Sequence, residues 1–111
     1  MTLKEVTERL GWKVIVGQDL LGREVTGGYC SDLLSDVMGN ADEGQVWLTI
    51  QVHKNIIAVA ALKELSAILL VKGLNATEDA IEAAVEEGIP VLQTNEPAFE
   101  MAAALYNLIN A

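Results

Sequence analysis

The stretch QVWLTIQVHKNIIAVAALKELSAILLVKGLNATEDAIEAAVEEGIPVLQTNEPAFEMAAALYNLI, Gln45 to Ile109, decides the fold. It reads as three strand–helix units in succession: a strand over Gln45 to Gln51 and a helix near Asn55 to Leu65, a strand over Ala67 to Val71 and a helix near Thr77 to Glu87, then a strand over Pro90 to Leu92 and a helix from Pro97 to Ile109. Repetition of that unit implies a parallel sheet with right-handed crossovers. Local chemistry supports the boundaries. Asn75 and Glu78 have capping-box spacing, Gly88 falls where a helix would end, and Pro97 suits a first helical turn.

Working outward, Thr2 and Glu5 form a second capping-box pattern, and Leu3, Val6 and Leu10 recur at helical period before Gly11. Val14-Ile15-Val16 reads as a buried strand. Four glycines punctuate the polar stretch from Gly17 to Gly28, with Glu24-Val25-Thr26 as a short strand inside it. Ser31 or Asp32 can cap a helix through Leu33, Leu34, Val37 and Met38 that stops at Gly39-Asn40. The expected architecture is a layered α/β domain with a largely parallel β-sheet, occupying residues 1–111 as one domain, without linker, low-complexity segment or internal repeat beyond the β-α period.

With 111 residues, 51% of them hydrophobic and 21% charged, the chain can bury enough apolar area to offset its conformational entropy. Seven Lys and Arg against 16 Asp and Glu give a formal charge of -9, and the basic residues are scattered singly. Nucleic acid and anionic membrane surfaces both require clustered cations, so neither is an expected partner. Cys30 is the sole cysteine, which excludes an internal disulfide or a multi-cysteine metal site and fits a reducing cytoplasm. The N-terminus lacks the pattern of a signal peptide, and the longest apolar runs are too short to span a bilayer.

Gly17-Gln18-Asp19-Leu20-Leu21-Gly22 matches the first six positions of a phosphate-binding P-loop, but Arg23-Glu24 replaces the Lys-Ser/Thr pair that reaches phosphate and Mg²⁺. Thr26-Gly27-Gly28-Tyr29-Cys30-Ser31-Asp32 is the better candidate: two glycines lead toward a capped helix, where backbone can approach a ligand closely. The competing reading gives Gly27 and Gly28 positive-φ turn geometry alone. Parallel sheets place ligands beyond their C-terminal strand ends, and each of these ends in hydrogen-bonding side chains: His53-Lys54-Asn55, Lys72-Gly73-Leu74-Asn75 and Thr94-Asn95-Glu96. The first is the best anion candidate, because His53 and Lys54 precede a helix N-terminus. Asn55, Asn75 and Asn95 read equally as helix caps. The sole histidine leaves no basis for a metal site, no catalytic motif is complete, and no cofactor is expected.

Glu24-Val25-Thr26-Gly27-Gly28, followed by Ser31-Asp32-Leu33-Leu34-Ser35-Asp36-Val37-Met38, resembles the DRTGG domain, and the resemblance extends from about Val14 to the C-terminus. It implies a fold related to the N-terminal domain of HPr kinase/phosphorylase. It also implies a regulatory or assembly role beside partners such as CBS domains, with self-association and without catalysis. Arg23-Glu24-Val25 departs from the Asp-Arg that the family name leads one to expect before Thr-Gly-Gly.

The expected function is therefore a non-catalytic regulatory, ligand-binding module sensing a nucleotide or small anionic metabolite through Thr26, Gly27, Gly28, Ser31, Asp32, His53, Asn55, Thr94 and Asn95, as a homodimer or with a partner protein. The alternatives are an accessory or assembly subunit docking its last helix on a larger hydrogenase-type redox system, and a weak phosphotransfer or hydrolytic enzyme using His53 with Thr94 or Ser31.

Overall fold

A computed structural model describes residues 1–111. Five helices and five strands follow the order α1 (Leu3–Leu10), β1 (Lys13–Val16), β2 (Gly27–Cys30), α2 (Leu34–Asn40), β3 (Gln45–Thr49), α3 (Asn55–Leu62), β4 (Ala67–Leu70), α4 (Glu78–Glu87), β5 (Val91–Gln93) and α5 (Ala98–Ile109). A 3-10 turn over Gln18–Leu20 sits between β1 and β2. The strands form one sheet in the order β1-β5-β4-β3-β2. Strands β2 to β5 are mutually parallel, and β1 closes the far edge antiparallel to β5. The expected α/β class and largely parallel sheet are what the chain adopts.

Two cores sandwich the sheet. Val37, Ile56, Ile57, Ala60 and Ala84 from α2, α3 and α4 pack with Trp47, Ile68, Leu70 and Val91 on one face. On the other, Leu3 and Val6 of α1 and Met101 and Leu105 of α5 meet Val46, Leu48, Leu69 and Leu92. β4 is buried at all four positions because helices cover both its faces, as expected of a central parallel strand.

Several local expectations are corrected. The strand near Glu24 to Thr26 lies at Gly27–Cys30 instead, paired in register with Gln45 to Leu48. Val25 is drawn into the core, and the amides of Val25 and Thr26 bond to the Met1 and Gly44 carbonyls, so pairing with β3 starts only after them. Gly27 and Gly28 consequently hold extended rather than positive-φ backbone. Helix α2 begins after Leu33, with no side chain capping it, and continues through Gly39 and Asn40. Thr77, not Asn75, caps α4, accepting from the Ala80 amide. Neither Asn55 nor Asn95 is a cap: Asn55 is already inside α3, and Pro97 occupies the position before α5.

Candidate functional site

β2 is an edge strand, and its side facing α5 presents Gly28 and Cys30. A Cβ added at Gly28 would stand 2.9 Å from Leu105 Cδ2, so the glycine lets α5 lie close under the strand. Where the missing side chains leave space, a groove of about 450 Å³ opens between β2 and α5. Its lining includes Thr26, Gly27, Gly28, Leu48, Leu105 and Tyr106. That volume lies within the range of small-molecule sites. No charged side chain lines it. Leu48, Leu105 and Ile109 give apolar walls, the exposed Tyr106 ring an amphipathic one, and the Gln45 and Asn110 amides the polar contacts.

Thr26 stands at the mouth, but its hydroxyl is engaged. Oγ1 donates to the Glu43 carbonyl at 2.9 Å, and its methyl occupies the space where a side chain at Gly44 would be, 2.7 Å from the Cβ position. Gly44 also needs its φ of +83°, so the Thr26–Gly44 contact fixes the entry into β2. Arg23, just upstream, donates to the Leu65, Ser66 and Gly88 carbonyls. It tethers the ends of α3 and α4 and does not reach the groove.

The remaining candidates are not gathered there. Asp32 Oδ1 accepts from Thr49 Oγ1 and the Ile50 amide, both at 2.9 Å, while Gln51 Nε2 donates to the Asp32 carbonyl. Ser31 Oγ accepts from the Leu33 amide, and its carbonyl takes the Trp47 indole N–H at 2.8 Å. These bonds lock the end of β2 onto β3. Asp32, expected as a cap of α2, lies before the Leu33 that precedes that helix and makes no cap bond to it. His53 is exposed after β3, and Asn55 lies beside Lys54 in a separate depression between α3 and α4. Thr94 Oγ1 accepts from the Glu96 amide, and Asn95 packs over Gly73, whose φ of +67° and lack of Cβ admit Asn95 Oδ1 to 2.9 Å of the Cβ position. Thr94 and Asn95 border a shallow polar hollow of about 300 Å³ with Lys13.

Strand order explains the dispersal. Passing from β2 to β5, every step moves the same way across the sheet, so no two neighbouring loops diverge to open a crevice at the strand ends. β3 and β5 are two strands apart, about 10 Å, so the loops carrying His53 and Thr94 start beyond hydrogen-bond reach of one another. Sequence reasoning missed α5 as a wall of the site. Its signal was present in Ala102, Tyr106 and Ile109, an apolar row offset from the core-facing row of the same helix.

Charge state follows the same geometry. Burial, and then the Asp32 charge, push the Cys30 thiol up, keeping it protonated near neutrality. Hydrogen bonds from Ser31, Tyr29 and Asn40 hold the Asp36 carboxyl below its ordinary value, and the same Asp36 bond, 2.9 Å from the Tyr29 hydroxyl, raises that phenol. Tyr29 stabilises the fold fully below its unfolded value near 10, and the contribution is lost as pH rises through the higher folded value. Asp36 contributes above its unfolded value near 4 and loses that contribution as pH falls through the lower folded one. Tyrosinate absorbance of the native protein minus that of Tyr29→Phe should therefore titrate with a midpoint above 10. A midpoint at or below 10 would remove the bond from the solution structure.

No protein-family model matches the chain, and no curated protein matches it. A solved structure does: the CBS and DRTGG domains of the regulatory region of Clostridium perfringens pyrophosphatase, complexed with the activator diadenosine tetraphosphate. The two superpose with a TM-score of 0.69 over 94% of this chain, at 16% identity. The two chains share an α/β fold. Identity this low shows a related fold and no more, and this chain spans 45% of that one, which carries two kinds of domain. The pyrophosphatase region binds an adenine dinucleotide, a property of that protein.

Proposed function

We propose that this chain is a non-catalytic regulatory module of DRTGG type that binds a nucleoside-bearing metabolite in the groove between β2 and α5. The observation that carries the reading is the groove itself: a neutral, partly apolar cleft at Thr26-Gly27-Gly28, walled by an exposed tyrosine ring and two side-chain amides. A planar heterocycle can stack on Tyr106 and hydrogen-bond to Gln45 or Asn110. Phosphates find no cation in the lining, so the nucleoside end, rather than an anionic end, supplies the recognition. The fold likeness to a nucleotide-regulated region supports the same class of ligand. The proposal includes a cytoplasmic, homodimeric protein.

Thermal shift with adenosine, ATP and a diadenosine polyphosphate tests the reading. A ligand held at about 100 times its Kd stabilises the folded state by about 2.7 kcal/mol, which raises the melting temperature measurably. Tyr106→Ala removes the stacking wall and should abolish the shift. Gly28→Val, which fills the floor, should abolish it too, while lowering the unliganded melt because a side chain there meets buried Leu105. Absence of a shift with all three ligands, or a shift retained in both variants, overturns the assignment.

A further inference from the structure

Helix α5 carries two apolar rows at heptad spacing. Ala98, Met101, Leu105 and Leu108 face the sheet. One position along, Phe99, Ala102, Tyr106 and Ile109 form a second row that nothing in the chain fully covers, with Phe99 81% and Tyr106 68% exposed. A helix apolar on two sides is built to be covered on two sides. From Pro97 to Ala111 the only charged side chain is Glu100, and from Val25 to Ser31 there is none, although the chain as a whole carries a formal charge of -9. These two segments are neighbours, since α5 lies along edge strand β2, whose outer edge has no strand partner.

We infer that this uncharged side, the outer row of α5 flanked by the edge of β2, is the interface between two copies of the chain related by a two-fold axis. Charge selects the occupant in part: two strongly acidic copies avoid mutual repulsion only where their charges are absent. The pattern of the helix selects it further, because Phe99, Ala102, Ala103 and Tyr106 read aromatic, small, small, aromatic in either direction. With two antiparallel α5 helices crossing between Ala102 and Ala103, Phe99 of one copy lies opposite Tyr106 of the other, and the central alanines let the backbones approach. Self-complementarity of this kind is what a two-fold interface requires. The helix is only about 18 Å long, short of the roughly 800 Å² per partner of a stable interface, and the adjoining β2 edges extend the contact. Ala102, Tyr106 and Ile109 also wall the groove, so the second copy roofs it; this last part rests on the ligand reading above.

Ala103 is exposed and outside the groove, which makes it the position to test. In a Cys30→Ser background, Ala103→Cys should form a covalent dimer on mild oxidation, whereas Val85→Cys, exposed on α4 on the opposite face, should not. Sedimentation should give native protein twice the 11.9 kDa chain mass, and Ala103→Glu, with unchanged helicity, the mass of one chain. A native monomer, equal cross-linking at the two cysteine positions, or a dimer that survives Ala103→Glu overturns the interface. If monomeric Ala103→Glu still shows the full nucleoside shift, the groove assignment stands and the shared site falls. A native dimer without any shift gives the reverse.

Discussion

Trp47→Ala is expected to remove about 3–5 kcal/mol of stability, a large part of the roughly 5–15 kcal/mol that holds a domain of this size. Trp47 is fully buried at the centre of β3, among Val37, Ile56, Ile57 and Ile68 on the face covered by α2 and α3. Truncation leaves a cavity that cannot collapse, because β3 is held on both sides by strand pairing. A second cost comes from the Ser31 carbonyl, which accepts the indole N–H at 2.8 Å and would be left without that donor. Trp47→Phe separates the two effects by keeping most of the ring volume while losing the bond, and should cost about half as much. Denaturant titration of the three proteins gives the comparison. An alanine variant within about 1 kcal/mol of native would mean that this face is loosely packed in solution.

Trp47 also shows why the fold could be read from the chain. The apolar runs around Val46-Trp47-Leu48 and Ala67 to Val71 carry no alternation, because helices cover both faces of these strands, and each run is followed by a helical pattern with a recognisable end. Burial on both faces and β-α repetition are local signals that specify a parallel sheet before any long-range contact is known. The glycine-rich segment carried no such signal. Gly27-Gly28 suits a turn by intrinsic preference, yet forms an edge strand because β3 offers an unpaired side and α5 needs a strand without bulk at position 28.

The site was legible in part for the same reason. Thr26-Gly27-Gly28 does border the β2–α5 groove, but succession along the chain does not reveal strand order, so the strand-end residues appeared to converge when they do not. His53, Asn55, Thr94 and Asn95 stand beyond strands that progress one way across the sheet. The other wall of the groove lies about eighty residues downstream of Thr26, on α5, where packing against the sheet, with close approach at Gly28, brings it near.

Asp32 is where the two roles of the Thr26 to Asp32 segment can be separated. Its carboxylate bridges the buried Thr49 hydroxyl and the Ile50 amide, and it lies outside the groove. Asp32→Ala should cost about 2 kcal/mol, since a hydrogen bond to a charged group contributes about 1.5–3 kcal/mol and the buried Thr49 hydroxyl loses its acceptor. Asp32→Asn keeps an oxygen for both donors and should recover roughly half of the loss. Nucleoside affinity in the groove should be unchanged in either variant once measured below its melting transition. The opposite pattern, native stability with binding abolished, would make Asp32 a ligand contact and move the site from the β2–α5 groove to the C-terminal ends of β2 and β3. The separation matters because the two locations imply different signals: a ligand in the groove acts on the α5 surface that a second copy would cover, whereas a ligand at Asp32 would act on the β2–β3 junction and leave that surface untouched.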